Sequence, residues 1–279
     1  MRSIKDLVEE SFGIIDRAID KYKPTVIVSL FSGGHDSYCA THVSNYHPKV
    51  NGPGVLGGVR PDVVTIDTGI GIPQSRYFVK ERCEAHGWNL RVYSAKECGQ
   101  VYRDMVVEHG FPGPPMHYKM YQRLKERPLR RMIREMKTGR HDHILLISGC
   151  RQEESVRRMG NVQEMQHEGV RVWCAPLAHW TEEDVHNYMT AKRLPRNPVK
   201  DLLGLSGECL CGCFAKAGER DLIEQHFPDV DSEIVSIERE AAAAGVRCRW
   251  GVKNGWGESD PAKLKRMAMC TSCTAATGA

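Results

Sequence analysis

The chain of 279 residues contains no apolar run long enough to span a bilayer. Its first 23 residues carry charges throughout and lack the uninterrupted apolar core of a signal peptide, so they are predicted to form an amphipathic helix. There is no internal repeat and no low-complexity tract. The net charge of +4 permits a nucleic-acid partner without requiring one. These absences predict a soluble cytoplasmic protein with no membrane partner.

Two widespread phosphate-binding patterns do not match the glycine-containing segment at residues 32–37. GxxxxGK[ST] needs a lysine and wider spacing, and GxGxxG needs a third glycine. In their place, SGGHDS (residues 32–37, here the SGGHDS loop) follows an apolar stretch typical of a buried strand. A strand that turns through glycines into a helix N-terminus gathers backbone N–H groups around an anion. The predicted phosphate-binding residues are Ser32, Gly33, Gly34, Asp36 and Ser37, and a glycine-rich turn without a ligand is the alternative.

Apolar runs alternate with helical patterns along residues 1–195, which are predicted to form one nucleotide-binding domain. This alternation predicts an α/β fold with a doubly wound parallel sheet. Ligands of such sheets bind beyond the carboxyl ends of the strands. Strands are predicted at 26–31, 62–66, 89–93, 143–148 and 170–177, and helices at 73–86, 96–109, 119–137 and 181–189.

Three polar segments begin at predicted strand ends and are expected to converge at one edge of the sheet. The first is the SGGHDS loop. The second, DTG at 67–69, offers a carboxylate for ribose, adenine or magnesium, with a capping aspartate as the alternative. The third, at 149–158, carries three arginines that suit a polyanion, because guanidinium binds phosphate bidentately; a solvated charge run is the alternative. The candidates in the last two segments are Asp67, Thr68, Gly149, Arg151, Arg157 and Arg158.

The predicted helix at 119–137 is strongly basic, with eight cations and two acids. A solvated helix face with local ion pairs is the plain interpretation. The excess of cations nevertheless favours contact with phosphates, either of a nucleotide or of a nucleic acid.

Eleven cysteines without a signal peptide indicate metal or thiol chemistry. The motifs CLCGC and CTSC supply enough thiolates for Zn²⁺ or a [4Fe–4S] cluster, and Cys248 is a candidate substitute ligand. Buried thiols or a redox disulfide are the alternative. Residues 196–279 are therefore predicted to form a cysteine-rich, mainly helical C-terminal region, with a helix at 218–244. The predicted metal ligands are Cys209, Cys211, Cys213, Cys270 and Cys273.

Six motifs, in order along residues 24–219, resemble the phosphoadenosine phosphosulfate (PAPS) reductase family of the PP-loop ATP pyrophosphatase superfamily, which also holds the DndC-like proteins of DNA phosphorothioation. The carrying segments are SGGHDS, DTGIGIPQSRYFVKE, LKERPLRRMIRE, GCRQEESVRR, HWTEEDVHNYM and LPRNPVKDLLGLSGECLCGC. The resemblance implies an adenine nucleotide alpha hydrolase-like (HUP/Rossmann-like) fold. It also implies binding of ATP, PAPS or adenylylsulfate with Mg²⁺, and a phosphate-contacting role for Lys125.

Two departures from the family bear on function. The chain has no ECG[IL]H sequence, which carries the nucleophilic cysteine of assimilatory reductases, and Met120 and Tyr121 stand where adenylylsulfate reductases have a Cys-Cys pair. The favoured hypothesis is therefore an ATP-cleaving PP-loop enzyme that releases pyrophosphate and activates an acceptor for sulfur transfer. A nucleic acid is the candidate acceptor, and a sulfur-donor protein and a homo-oligomer are left open. The implied catalytic residues are Asp36, Lys125, Arg151, Arg157 and Arg158.

Two other functions are compatible with the same motifs. One is a sulfonucleotide reductase that uses an unusual thiol, such as Cys213 or Cys273. The other is a nucleotide-binding subunit of a larger complex, with no turnover of its own.

Overall fold

The structure is a computed structural model that describes residues 2–51, 61–153 and 162–252. The described chain contains six strands and eleven α-helices, and the last two strands follow one another without a helix between them. No helix in these ranges is both long and apolar enough to cross a membrane. The strands are β1 (Val26–Leu30), β2 (Asp62–Asp67), β3 (Leu90–Ser94), β4 (Ile144–Ile147), β5 (Met165–Glu168) and β6 (Arg171–Cys174). The helices are α1 (Ile4–Tyr22), α2 (His35–Asn45), α3 (Pro48–Asn51), α4 (Pro73–His86), α5 (Tyr102–His109), α6 (His117–Tyr121), α7 (Arg127–Met136), α8 (Glu182–Ala191), α9 (Pro198–Leu203), α10 (Glu219–His226) and α11 (Pro228–Ala243).

The strands form one sheet in the order β3-β2-β1-β4-β6-β5. Every neighbouring pair is parallel except β5 with β6, which is antiparallel. The predicted α/β fold with a doubly wound, mostly parallel sheet is confirmed. β5 was not predicted, because MQHE forms a mostly exposed, polar strand at the edge of the sheet and has no apolar run.

The winding direction of the sheet reverses between β1 and β4. The chain adds β2 and β3 on one side of β1, and then returns to place β4 and β6 on the other side. In open α/β sheets, the crevice at such a reversal is where ligands bind, at the carboxyl ends of the strands. The SGGHDS loop follows β1 and Gly149 follows β4, so both lie at this crevice.

Alternate residues of the strands face two different helical layers. Ile27, Leu145 and Val172 share a core with α1, α2, α4 and α8. Their sequence neighbours on the other face of the sheet pack against the apolar side of α7, which carries Leu129 and Met132. This alternation is the period-two pattern expected of a sheet that is covered on both faces.

Two predicted helices are interrupted by residues that cannot continue a helix. The helix predicted at 218–244 is wrong as a single element: it breaks between α10 and α11, where Phe227 has φ −138° and Pro228 follows. Proline has no N–H to donate and pushes the preceding residue out of the helical region. The helix predicted at 96–109 is likewise divided, because Gly99 has φ +70° and ends a short 3-10 turn before α5.

The basic helix predicted at 119–137 is realised as α6 and α7 joined by one π-helical turn, Gln122–Glu126. Pro128, the second residue of α7, lies just after the π turn and has no N–H to donate to that turn. Such π turns are frequently found at functional sites, and this one carries Lys125.

The C-terminal helices share a second core with the middle of the chain. Val199, Ile223 and Ile237 pack with Tyr102 of α5 and with Ile72, just before α4. The division into residues 1–195 and 196–279 remains a proposal.

Candidate functional site

The SGGHDS loop is closed by its own hydroxyl groups at the start of α2. Gly33 has φ +84°, a conformation that favours glycine, and Gly34 is the N-cap of α2. The Ser37 hydroxyl donates to the Gly34 carbonyl at 2.9 Å and accepts from the Ser32 N–H at 3.3 Å. The loop therefore turns sharply onto a helix N-terminus, the arrangement that suits an anion.

Gly149 brings the end of β4 directly against the first turn of α2. A Cβ atom at this position would lie 2.5 Å from the Ser37 nitrogen and 2.6 Å from the carbonyl carbon of Asp36. Because these are backbone atoms, only glycine fits without moving the helix. The structure thus brings together two of the three predicted segments.

Arg151 links these two segments through an ion pair. Its Nε donates to Asp36 Oδ1 at 2.6 Å, and its Nη1 donates to Glu153 Oε2 at 2.8 Å. The guanidinium is buried, so it holds the start of α2 against the segment after β4. Arg157 and Arg158 lie outside the described residues.

The third segment, DTG, lies beside them at the end of β2. Asp67 Oδ1 accepts from the Gly69 N–H at 3.0 Å and from Arg76 Nη1 at 2.8 Å. Thr68 is fully buried, and its hydroxyl lies 3.0 Å from the Glu208 carbonyl, to which it donates. The Thr68 side chain is therefore a buried link between the DTG loop and residue 208, whereas the Asp67 side chain is partly exposed at the edge of the sheet.

The DTG loop packs against a distant segment of the chain, residues 205–210, which the strand and helix pattern does not connect with the site. This segment, here called the strap, forms backbone hydrogen bonds with residues 68–72. The Ile72 N–H donates to the Gly207 carbonyl at 2.7 Å, and the Leu210 N–H donates to the Ile70 carbonyl at 2.8 Å. A Cβ atom at Gly71 would lie 2.5 Å from the Glu208 carbonyl oxygen. The strap is thus held against the edge of the sheet.

Lys125 and Glu208 form a buried ion pair at this edge. Lys125 Nζ donates to Glu208 Oε2 at 2.7 Å, and the two side chains are 3% and 8% exposed. Lys125 reaches the site from the π turn, whereas Glu208 reaches it from the strap. An isolated acid gives no local sequence pattern, which is why Glu208 was missed.

A cavity of about 320 Å³ opens between β2, β3 and α4. Its apolar wall includes Ile66, Val79 and Val92, and its polar rim includes Asp67 and Glu208. Ser32 of the SGGHDS loop also lines it. An apolar slot with a few convergent polar groups is the usual form of a small-molecule site.

Two further residues missed at the sequence level support the SGGHDS loop. Asn197, fully buried, donates from Nδ2 to the Gly33 carbonyl at 2.8 Å, and its backbone N–H donates to His35 Nε2 at 3.3 Å. Burial and the nearby Arg196 lower the pKa of His35 to about 4, so this histidine is a neutral acceptor at pH 7. An asparagine before Pro198 is an N-cap signal that predicts the start of α9, but it does not predict the partner.

The CLCGC motif begins inside the strap, at Cys209, and continues to Cys213. Cys211 and Cys213 are buried, Cys209 is half-buried, and all three line a small cavity of about 20 Å³. Among the described residues, no group of three or more His, Cys, Asp or Glu side chains is arranged to hold a metal ion. Because Cys270 and Cys273 lie outside the described residues, the metal site stays a prediction.

The basic helix places its arginines on a surface groove. Arg127, Arg130 and Arg134 of α7 are exposed and line an open groove of about 900 Å³. Arg130 is paired with Glu126 at 2.7 Å. Within residues 2–51, 61–153 and 162–252, Arg127 and Arg134 have no ion-pair partner.

Comparison with known proteins gives one family. The phosphoadenosine phosphosulfate reductase domain matches residues 26–202. A phosphoadenosine 5'-phosphosulfate reductase of Xanthomonas axonopodis pv. citri (strain 306) is 30% identical over 150 residues, which are 52% of this chain and 58% of the relative. The reductase of Aliivibrio salmonicida (strain LFI1238) is 29% identical over 143 residues, 50% of this chain and 53% of the relative. The chain thus spans little more than half the length of these curated relatives.

Among solved structures, the NMN synthetase of Francisella tularensis has a TM-score of 0.50 at 14% identity, covering 88% of this chain and 95% of that chain. This is a likeness of fold alone. The family match, in contrast, begins at the first residue of β1 and includes all six strands, the SGGHDS loop and Lys125. Because it covers more than half of the 279 residues, the chain belongs to the phosphoadenosine phosphosulfate reductase domain family.

Proposed function

We propose that the chain binds ATP at this sheet edge and cleaves it between the α and β phosphates, releasing pyrophosphate and activating an acceptor for sulfur transfer. One observation carries the proposal: the SGGHDS loop, Gly149 and Lys125 border the same edge as an apolar cavity of about 320 Å³. The cavity suits the adenosine moiety, and the N-terminus of α2 suits the phosphates.

In this reaction, an oxygen of the acceptor attacks the α phosphorus, and the bond to the bridging oxygen breaks. Pyrophosphate leaves with the electron pair, and a nucleophilic sulfur then displaces AMP from the adenylylated acceptor. The N–H groups at the start of α2 would stabilise the leaving pyrophosphate, and the ammonium of Lys125 would stabilise charge on the phosphate oxygens. Arg157 and Arg158 are proposed to add charge at the same edge, and Arg151 to fix the loop through Asp36.

Mg²⁺ and a cysteine-bound centre belong to this proposal. Asp36 and Asp67 offer the carboxylate oxygens that Mg²⁺ prefers, and the ion would neutralise charge on the phosphates. Cys209, Cys211 and Cys213 offer three thiols within one short segment, so their donor chemistry fits Zn²⁺ or [4Fe–4S]. Cys270 and Cys273 would complete the set of thiolate ligands. The bound group would either stabilise the C-terminal region or take part in sulfur transfer.

The proposed acceptor is a nucleic acid. The groove along α7 presents exposed Arg127, Arg130 and Arg134, and α7 directly continues the turn that carries Lys125. Binding of a single-stranded oligonucleotide should weaken with salt, and R127Q/R134Q should lower the slope of log affinity against log salt by about 1.4, since each lost phosphate contact removes about 0.7. An unchanged slope would exclude this groove.

The direct test is product analysis. Anaerobically purified protein is incubated with Mg·ATP, with and without oligonucleotide, and pyrophosphate and AMP are measured. Lys125→Ala should lower the rate about 100-fold, by analogy with removal of one charge-stabilising donor. Lys5→Ala, on the exposed side of α1, is the matched control and should keep the wild-type rate. Wild-type protein that releases no pyrophosphate contradicts the proposal.

A sulfonucleotide reductase is the second candidate, because the curated relatives are named phosphoadenosine 5'-phosphosulfate reductases. It predicts sulfite release from PAPS in the presence of thioredoxin, loss of sulfite with Cys213→Ser, and no pyrophosphate from ATP. Tight ATP binding without either product would instead indicate a nucleotide-binding subunit.

A further inference from the structure

The lysine proposed to contact phosphate is already neutralised by a carboxylate. Lys125 Nζ lies 2.7 Å from Glu208 Oε2, and both side chains are withdrawn from water. Ion pairs are strong where solvent is excluded, because the surroundings screen them weakly. An anion that binds Lys125 must therefore compete with Glu208, and it also meets a like charge at close range.

The backbone of Glu208 is not free to move away. Its carbonyl accepts from the buried Thr68 hydroxyl at 3.0 Å, and the next residue but one, Leu210, donates its N–H to Ile70 at 2.8 Å. Gly71 packs so closely on the Glu208 carbonyl that a Cβ atom there would lie at 2.5 Å. Any exchange of partners must therefore occur by rotation of the Glu208 side chain.

The surroundings of Glu208 allow that rotation. Glu208 is one of the residues that line the cavity of about 320 Å³, together with Arg76 and Lys80 of α4. Arg76 is bound to Asp67 at 2.8 Å, and Lys80 is exposed with a partner, Glu84, only at 3.9 Å. A carboxylate that leaves Lys125 is thus drawn toward the positive charge that Arg76 and Lys80 bring to the lining of the same cavity.

We propose that Glu208 is a displaceable counter-ion of Lys125: it positions the lysine while the site holds no anion, and it turns away when a phosphate or sulfate group arrives. This inference rests on the proposed placement of phosphate at Lys125. Glu208 then acts as a selectivity element, since only a ligand with enough negative charge at this point can replace it. Adenosine, which carries no phosphate, gains nothing from the exchange.

The test is calorimetric titration with inorganic pyrophosphate and, separately, with adenosine. In Glu208→Gln the pyrophosphate no longer competes with a carboxylate, so its Kd should fall about tenfold, equivalent to about 1.4 kcal/mol. The Kd of adenosine, which carries no anionic group that competes for Lys125, should change much less than the Kd of pyrophosphate. A residue with a merely structural role would do the opposite, because loss of a buried partner loosens the site and weakens binding.

Glu126→Gln is the matched control. Glu126 is also buried and paired, with Arg130 at 2.7 Å and Arg171 at 3.0 Å, and it neighbours Lys125 in the chain. Both variants should lower the Tm of the ligand-free protein, but only Glu208→Gln should tighten pyrophosphate binding.

A second measurement uses the wild-type protein and does not depend on a variant that folds. Pyrophosphate should slow acetylation of Lys125 and accelerate carbodiimide labelling of Glu208, both followed by peptide mass spectrometry. Unchanged labelling of Glu208, or unchanged or weaker pyrophosphate binding by Glu208→Gln, overturns the counter-ion role while leaving ATP cleavage intact. Wild-type protein that binds neither pyrophosphate nor ATP overturns the proposed function together with this inference.

Discussion

Gly149→Ala tests whether the phosphate site depends on direct contact between the end of β4 and the start of α2. The added Cβ would stand 2.5 Å from the Ser37 nitrogen, 2.6 Å from the Asp36 carbonyl carbon and 2.7 Å from the Ser37 Cα, whereas ordinary contacts begin at 3.4 Å. All three atoms belong to the backbone, so no side-chain rotation relieves the clash. The first turn of α2 must therefore withdraw by about 1 Å, the scale of shift that costs enzymes about 100-fold in rate.

Stability, pyrophosphate affinity and ATP cleavage should change together in this variant. The free energy of unfolding should fall by about 1–3 kcal/mol, as for other additions to a fully packed position. Pyrophosphate affinity and ATP cleavage should fall as well, because the N–H groups of α2 no longer converge on the same point. Urea unfolding, calorimetry and pyrophosphate release measure the three effects on one preparation.

Gly13→Ala is the control for this experiment. Gly13 lies inside α1, where a Cβ atom would meet only the flexible end of Arg17 at 3.4 Å. Alanine should leave binding unchanged and stabilise the helix by up to about 1 kcal/mol. If Gly149→Ala bound pyrophosphate and cleaved ATP like the wild type, the close contact at the crevice would have no bearing on the site.

Three further predictions follow from buried polar groups. Burial lowers the pKa of His42 from 6.5 to about 3. Above pH 6.5, this imidazole is neutral in both the folded and the unfolded chain. Between pH 6.5 and pH 3, it binds a proton in the unfolded chain but not in the folded one. The free energy of unfolding should thus fall by about 1.4 kcal/mol for each pH unit below 6.5, which amounts to about 2 kcal/mol at pH 5. Urea unfolding of His42→Gln at several pH values should lack this contribution to the pH dependence. Asn197→Ala removes the 2.8 Å hydrogen bond to the Gly33 carbonyl, so it should lower the free energy of unfolding by about 1–3 kcal/mol and weaken pyrophosphate binding. A calorimetric pyrophosphate affinity equal to that of the wild type would contradict this prediction. Lys125→Met removes the cation that pairs with the buried Glu208 carboxylate and should cost about 3–5 kcal/mol in unfolding free energy. Lys125→Met/Glu208→Gln should restore most of this loss in urea unfolding, and a double variant as unstable as the single one would refute the pairing.

The parts of the fold that could be predicted are those with local physical causes. The core strands are continuous apolar runs that must be buried on both faces, and α4 begins at Pro73 as the proline rule requires. The helix predicted at 181–189 begins, as α8, with a capping box formed by Thr181 and Asp184. The break at Phe227 also had a local signal, Pro228, which outweighs the helical pattern around it.

The partners of the site residues could not be predicted, because their contacts join distant parts of the chain. Lys125 and Glu208 are 83 positions apart, and Arg151 and Asp36 are 115 positions apart. The meeting of the three polar segments at one edge could be predicted, because the carboxyl ends of parallel strands lie at the same edge of a sheet. Which acid then meets which base depends on side-chain directions that the pattern of strands and helices does not encode.

The strap has a consequence for the order in which the protein is made. Synthesis delivers the SGGHDS loop first, the lysine-bearing turn about midway, and the strap only after all six strands have been completed. A nascent chain that ends at residue 202, the limit of the family match, already carries the entire sheet but lacks the residue that pairs with Lys125. The edge of the sheet is therefore completed only after about residue 210 has left the ribosome, and until then the growing chain lacks the carboxylate that pairs with Lys125.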